Sequence, residues 1–189
     1  MKIFASDLHL GHNLSSKQRG FNCLEEHDNV IIDNLMTTVK RGCDLYLLGD
    51  TFFTNNNEFI EKFYTNLRKE RVNLHFIIGN HDKKIPKVNK VVKTVSHLKD
   101  IKENEQWITL CHYPMIVWNR SHYNSWMLYG HIHKDDMTDK KLSNEYSYFL
   151  KGKKLNINID FHKFYPYTFD EIKSIMDKKE DNFDLIIKE

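Results

Sequence analysis

Short apolar runs recur along the chain, and five of them lead straight into a polar cluster. Ile3-Phe4-Ala5 leads into Ser6-Asp7-Leu8-His9, Leu45-Tyr46-Leu47-Leu48 into Gly49-Asp50, and Leu74-His75-Phe76-Ile77-Ile78 into Gly79-Asn80-His81-Asp82. Trp107-Ile108-Thr109-Leu110-Cys111 leads into His112-Tyr113-Pro114, and Trp126-Met127-Leu128-Tyr129 into Gly130-His131-Ile132-His133. Runs this short, closed by Gly or Pro, predict buried β-strands.

Helical spacing appears between the strands. Val30, Ile31, Leu35 and Val39 form one stripe, with Asp28 as its expected N-cap, and Phe59, Ile60, Phe63 and Leu67 form a second. Thr168-Phe169-Asp170-Glu171 has capping-box spacing, followed by a stripe of Phe169, Ile172, Ile175 and Met176. Leu155, Ile157 and Ile159 alternate with Asn156, Asn158 and Asp160, which predicts a half-buried strand, and Phe183 to Ile187 is expected to be a last short one. Strands alternating with helices give an α/β fold, in which ligands collect beyond the carboxyl ends of the strands. The five polar clusters are therefore expected to meet in one crevice.

The bulk numbers narrow this further. A chain of 189 residues, 40% hydrophobic and 29% charged, fits a single domain over residues 1–189 with a core that needs no disulfides. A net charge of +2 gives no sign of a nucleic-acid coat or a membrane-surface protein. The runs Lys83 to Lys93 and Lys151 to Lys154 are expected to be solvated faces, with a rim that attracts anions as the alternative. Cys23, Cys43 and Cys111 have no paired spacing, which argues for a reducing, cytoplasmic setting. The first apolar stretch is too short for a signal peptide, and no run reaches the length of a membrane span.

The candidate ligands are Asp7, His9, Asp50, Asn80, His112, His131 and His133. They offer carboxylates, one amide oxygen and imidazoles, with no thiolate. Such a set suits catalytic divalent cations; Mn²⁺ is the first choice, with Fe, Zn²⁺ and Ni²⁺ as alternatives. Seven ligands exceed the needs of one ion, so two ions sharing a carboxylate is the economical reading. His75, inside an apolar run, is expected to be a sheet residue, and His27, His97 and His162 to lie at the surface or in loops. His12 and Asn13 follow the first cluster, and Arg120 lies between the fourth and fifth; all three are candidate substrate contacts. Asp160 is a candidate structural or supporting group beside a ligand.

Taken in order, Asp7-x-His9, Gly49-Asp50, Gly79-Asn80-His81-Asp82, His112 and Gly130-His131-x-His133 resemble the motif series of the calcineurin-like metallophosphoesterase superfamily. The opening Ser6-Asp7-Leu8-His9-Leu10-Gly11-His12 and the ending Asn158-Ile159-Asp160…Pro166…Glu171-Ile172 further resemble its small bacterial and phage members. The resemblance implies two packed mixed β-sheets flanked by helices. It implies Asp7, His9 and His133 on one metal, Asn80, His112 and His131 on the other, and Asp50 bridging. It also implies that His81 faces the substrate and is oriented by Asp82.

In that chemistry two cations about 3.5–4 Å apart acidify a bridging water, and the hydroxide attacks phosphorus. His81 protonates the leaving oxygen, a contribution of about 10²–10⁴-fold. The expected partner is a phosphate ester, a nucleotide or nucleic acid among the candidates, and the expected reaction is diester hydrolysis. A phosphomonoesterase acting on nucleotides or phosphoproteins is the alternative within enzymes. A non-catalytic scaffold fits poorly because His81 and all seven ligand types are present, and a metal-storage protein fits poorly with so mixed a ligand set.

Overall fold

The computed structural model describes residues 1–82, 91–133 and 151–182. In chain order the elements are β1 (Lys2–Ala5), α1 (Asn13–Gln18), α2 (Leu24–Thr38), β2 (Asp44–Leu48), α3 (Asn57–Lys69), β3 (Asn73–Ile77) and β4 (Val92–Ser96). Then come β5 (Leu98–Glu103), β6 (Gln106–Cys111), β7 (Trp126–Tyr129), β8 (Lys154–Asn156), β9 (Tyr167–Thr168) and α4 (Phe169–Met176).

Two mixed sheets result, as the resemblance implied. The first has the order β4-β3-β2-β1-β9, parallel except for β9. The second has the order β5-β6-β7-β8, with an antiparallel β5–β6 hairpin and parallel partners beyond it.

Alternation along the strands decides which layer each side chain joins. Ile3, Ala5, Leu45, Leu47, Leu74 and Phe76 face α2 and α3, where they bury Ile31, Leu35, Phe63, Tyr64 and Leu67. Their neighbours Phe4, Tyr46, Leu48 and Ile77 face the second sheet and meet Ile108, Leu110, Trp126 and Leu128, with Phe169, Ile172 and Met176 of α4 closing the layer. Strands buried on both faces read as continuous apolar runs, which is the pattern seen in the sequence. Each large side chain so buried contributes roughly 1.5–3 kcal/mol.

The capping box of α4 forms as expected, with the Thr168 side chain taking the Glu171 amide and Glu171 reaching back. α3 is capped by Asn56, whose side chain accepts from Glu58 and Phe59. α2 differs from expectation. It begins at Leu24, five residues early, with the Cys23 thiol as its cap. Asp28 lies inside the helix because its carboxylate is committed elsewhere, accepting the Gly11 amide with both oxygens at 3.1 Å.

The strand expected over Leu155 to Ile159 stops at Asn156. Asn158 accepts the Asp160 amide at 3.0 Å and turns the chain into a short 3₁₀ segment, Ile159–His162. The lysine run Lys151 to Lys154 is a solvated face only at Lys151, which is exposed. Lys154 is buried, with its ammonium over the Trp118 ring, and Lys153 donates to the carbonyls of Met176 and Lys179. Lys83 to Lys90 and the strand expected over Phe183 to Ile187 lie outside the described residues.

Candidate metal centre

The polar clusters follow the carboxyl ends of β1, β2, β3, β6 and β7, and the two sheets bring those ends together. A parallel bridge between Ser6 and Asn158 ties the end of β1 to the segment after β8. The Gly130 amide donates to the His112 carbonyl at 2.9 Å, which joins the ends of β6 and β7.

Asp7 lies at the middle of the cluster and is fully buried. Its Oδ2 accepts from Ser6 Oγ at 2.5 Å and from the His131 amide at 3.0 Å. Its Oδ1 faces His133 Nε2 at 3.7 Å and His9 Nε2 at 3.8 Å. Asp50 Oδ2 lies between His112 Nε2, at 3.6 Å, and His9 Nε2, at 4.0 Å. Asn80 Oδ1 lies 2.9 Å from His112 Nε2 and 3.0 Å from His131 Nδ1. Two groups with metal-ligand geometry result, Asp7-His9-His133 and Asp7-Asp50-His112.

The backbone is bent to achieve this. Asp7, His9, Asp50 and His131 all hold positive φ, at 58°, 51°, 53° and 68°. For residues with a Cβ this region is sparsely populated, and such strain gathers at functional sites. Gly130 has a different reason for its identity: a Cβ there would overlap Ser6 Oγ and Asp7 Oδ2.

These residues fit divalent cations, because the donor set leaves lone pairs facing one another. His112 Nδ1 lies 2.7 Å from the Leu48 carbonyl, which can only accept. The neutral ring therefore carries its proton on Nδ1 and turns the Nε2 lone pair toward the oxygens of Asp50 and Asn80. Among the described residues, Asp7 Oδ1 and His9 Nε2 are buried with no hydrogen-bond partner. Buried acceptors aimed at one another are costly until a cation sits between them.

Electrostatics point the same way at Asp7, His9 and His131, whereas at His133 burial is outweighed by Asp160 and Asp7, which raise its pKa. Burial pushes the Asp7 carboxyl up, but His9, His112, Ser6 and His133 outweigh it and hold the group below its usual range. Burial lowers His9 against the pull of Asp7, and burial together with His112 lowers His131. Both rings thus favour the neutral form that a ligand requires.

His81 is exposed at the rim, its ring tilted against Phe53 at 4.6 Å and its amide donating to Asp50 Oδ1 at 2.9 Å. The Asp82 carboxylate takes three backbone amides, those of Gly79 and Asp50 at 2.8 Å and of Thr51 at 3.2 Å. Among the described residues these oxygens meet main-chain groups, so Asp82 holds the loop that carries His81.

His12 stacks on Phe53 at 4.1 Å and lies 5.5 Å from the His9 ring, so it borders the crevice; Asn13 opens α1 and is exposed. Arg120 is not brought to the crevice. Its guanidinium lies over Trp107 at 4.4 Å, at the amino end of β6, whereas His112 follows the carboxyl end. The reason is topological: β6 and β7 are parallel, so the chain between them must return to the amino end of β7, and Arg120 is on that return.

His75 is a sheet residue, stacked on Tyr46 at 4.5 Å. His27, expected at the surface, is fully buried in α2. Asp160 does support a ligand candidate: its Oδ2 accepts from His133 Nδ1 at 2.8 Å. The residue that sequence reasoning missed is Arg19, buried beside Asp160 and the Asp7 carbonyl.

Among the described residues no helix is long and apolar enough to cross a membrane. An uncharacterised protein of Methanocaldococcus jannaschii is 25% identical over 175 residues, 92% of this chain and 89% of that protein. Among solved structures, a protein of unknown function from Aquifex aeolicus shares the fold with a TM-score of 0.71 at 20% identity, covering 93% of this chain and 98% of the other. The nuclease MPE of Pseudomonas putida gives a TM-score of 0.46 at 20% identity over 70% of this chain and 61% of its own. The sequence profile of calcineurin-like phosphoesterases matches residues 3–188. With that match spanning nearly the whole chain and an Asp/His cluster at its strand ends, the chain belongs to the calcineurin-like phosphoesterase family and is a metal-dependent phosphoesterase.

Proposed function

We propose that the chain is a dinuclear phosphodiesterase. Asp7, His9 and His133 hold one cation, Asn80, His112 and His131 hold the other, and Asp50 is shared. The observation that carries this reading is the meeting of buried acceptor atoms, above all Asp7 Oδ1 and His9 Nε2. Mn²⁺ suits the mixed oxygen and imidazole set. When bound, such cations neutralise charge on the phosphoryl oxygens and acidify water for attack.

The protein's own groups do the rest. His81, on the open side of the cluster, holds a proton at its ring and delivers it to the leaving oxygen. Its main chain is anchored on Asp50 Oδ1, so the acid and the shared carboxylate keep a fixed spacing. Asp82 ties the loop that carries His81 to the loop that carries Asp50. Preorganised donors and charges of this kind dominate phosphoryl transfer.

One feature favours diesters. The Arg19 guanidinium, beside the centre, is turned to Asp160 and to the carbonyls of Asp7 and Leu8 instead of into the crevice. A diester carries one negative charge and needs no such cation, whereas a monoester carries up to two.

The test loads the protein with Mn²⁺ and compares bis(p-nitrophenyl) phosphate with p-nitrophenyl phosphate, using Asp50→Asn as the blank. A higher kcat/KM on the diester is expected. A higher value on the monoester would replace this reading with a phosphomonoesterase acting on nucleotides or phosphoproteins. Turnover no faster than the blank on either compound would remove the assignment of this cluster as the catalytic centre.

A further inference from the structure

Arg19 stands at the C-cap of α1, a six-residue helix with no apolar stripe. Its side chain is only 5% exposed. Nε donates to Asp160 Oδ1 at 2.7 Å, Nη2 to the Asp7 carbonyl at 2.6 Å, and Nη1 to the Leu8 carbonyl at 3.0 Å. Nη1 also lies 2.9 Å from His27 Nε2, while His27 Nδ1 lies 2.7 Å from Asp28 Oδ1. The guanidinium can only donate, so His27 accepts at Nε2 and carries its proton on Nδ1 toward Asp28. Asp28 in turn takes the Gly11 amide.

These contacts form one connected frame around the first motif. The carbonyls that Arg19 grips belong to Asp7 and Leu8, the peptide units between two residues in the left-handed region, Asp7 at 58° and His9 at 51°. Without a partner those carbonyls would be free to rotate toward relaxed backbone shapes. Asp160 then links Arg19 to the far side of the centre. One oxygen takes the Arg19 Nε–H, and the other accepts from His133 Nδ1 at 2.8 Å. A carboxylate only accepts, so His133 is held with its proton on Nδ1 and with Nε2 directed at Asp7 Oδ1.

We infer that Arg19 and Asp160 are a buried positioning pair that sets the Asp7 backbone and the His133 ring together and so builds one of the two cation sites. The inference rests on the reading of Asp7 and His133 as ligands. Arg19 acts through its planar fork, which serves a carboxylate, two carbonyls and an imidazole from one rigid group; a lysine ammonium at that place reaches fewer of them. Asp160 acts through its two oxygens. An asparagine keeps one acceptor for two donors, Arg19 Nε–H and His133 Nδ1–H.

The test is calorimetric titration of the metal-free full chain with Mn²⁺ alone, for the wild type, Arg19→Lys, Asp160→Asn and His133→Ala. Supporting groups of this kind typically set metal affinity by about 10–100-fold. Arg19→Lys and Asp160→Asn are expected to weaken one of the two Mn²⁺ sites by about that factor and leave the other near its wild-type affinity. His133→Ala is expected to lose the same site. If His133→Ala still binds two ions as the wild type does, the ligand reading fails. If it loses one ion while both supporting variants bind like the wild type, the ligand reading stands and the positioning pair is wrong. Equal weakening of both sites would mark Arg19 and Asp160 as general scaffold and also overturn the inference. Arg19→Lys keeps the positive charge and Asp160→Asn keeps the shape of the buried group, and thermal unfolding of each metal-free variant checks that the fold persists. A variant that does not fold is replaced by Arg19→Gln or Asp160→Ser and read against the same outcomes.

Discussion

The Asp82 carboxylate accepts the backbone amide of Asp50 at 2.8 Å, which locks the loop after β3 to the loop after β2. The same carboxylate takes the amides of Gly79 and Thr51. Asp82 thus fixes the main chain on both sides of Asp50, which has a positive φ of 53°.

Asp82→Ala strips the acceptor from these amides, and a half-buried donor left unpaired costs about 1–3 kcal/mol. Urea unfolding of the metal-free chain is expected to show a loss of that order, with a smaller loss in Asp82→Asn, which retains one acceptor oxygen. Equal stability of the wild type and Asp82→Ala would mean that the loops hold themselves.

His81→Ala is expected to lower turnover by about 10²–10⁴-fold while Mn²⁺ content stays unchanged, because the ring serves as acid and its backbone amide remains on Asp50 Oδ1. The deficit should shrink for p-nitrophenyl esters, whose leaving group departs without a proton, relative to alkyl esters. Metal analysis beside a leaving-group series checks this. Loss of metal, or an equal deficit across the series, would contradict the assigned role.

The strands that carry ligands were legible because burial on both faces makes them continuous apolar runs, and because Asp, Asn and His stand out directly after them. β4 and β5 were not. Val92-Lys93-Thr94-Val95-Ser96 and Leu98-Lys99-Asp100-Ile101-Lys102-Glu103 are end strands of their sheets, with exposed charged positions that dilute the apolar signal. α1 was invisible since it buries Ser15 and Ser16 and no apolar stripe. Arg19 carried no local sign that its partner is Asp160, 141 residues away. Arg120 misled because nearness in sequence to two clusters says nothing about which end of a parallel pair the connection visits. Asp28 looked like a helix cap because caps and buried carboxylates use the same residue types.

Gly130 tests whether the centre tolerates any added volume. Gly130→Ala would press a methyl group into Ser6 Oγ and Asp7 Oδ2, two atoms already 2.5 Å apart. Overpacking of this kind costs about 1–3 kcal/mol. The variant is expected to melt earlier and to bind Mn²⁺ more weakly. Gly20→Ala is the control, since Gly20 has open space around its Cβ position but a φ of 81°. It should lose stability through backbone strain alone and keep wild-type metal affinity. If the two variants bind Mn²⁺ alike, the close approach of β7 to β1 is not what shapes the site.

Metal and stability should be linked. A cation that binds the folded chain alone raises its unfolding free energy by about 2.7 kcal/mol at a hundredfold excess over Kd. Adding Mn²⁺ to chelator-stripped protein is therefore expected to raise Tm in a concentration-dependent way, and Asp50→Asn should blunt the rise because Asp50 Oδ2 stands between His9 and His112. A Tm indifferent to Mn²⁺ would refute the cation assignment for the lone pairs that meet there.

His75 offers a pH test that is independent of the metal centre. It lies on β3, 13% exposed at the side chain, stacked on Tyr46 with Nδ1 2.9 Å from Thr94 Oγ1. Burial pushes its pKa below the ordinary 6.5, with Asp44 pulling the other way and losing. The unfolded chain therefore binds a proton at this residue more readily than the folded chain does. Stability then rises with pH wherever the unfolded His75 is still protonated. The contribution is complete above about pH 6.5 and is lost progressively as the pH falls from there toward the lowered folded value. In His75→Gln that proton is gone from both states, so the drop in unfolding free energy between about pH 7.5 and about pH 5.5 should be smaller than in the wild type. Urea unfolding of both proteins across that interval measures the difference, with metal removed so that the site histidines contribute equally to each. Parallel stability curves would show that β3 holds His75 without disfavouring its charged form.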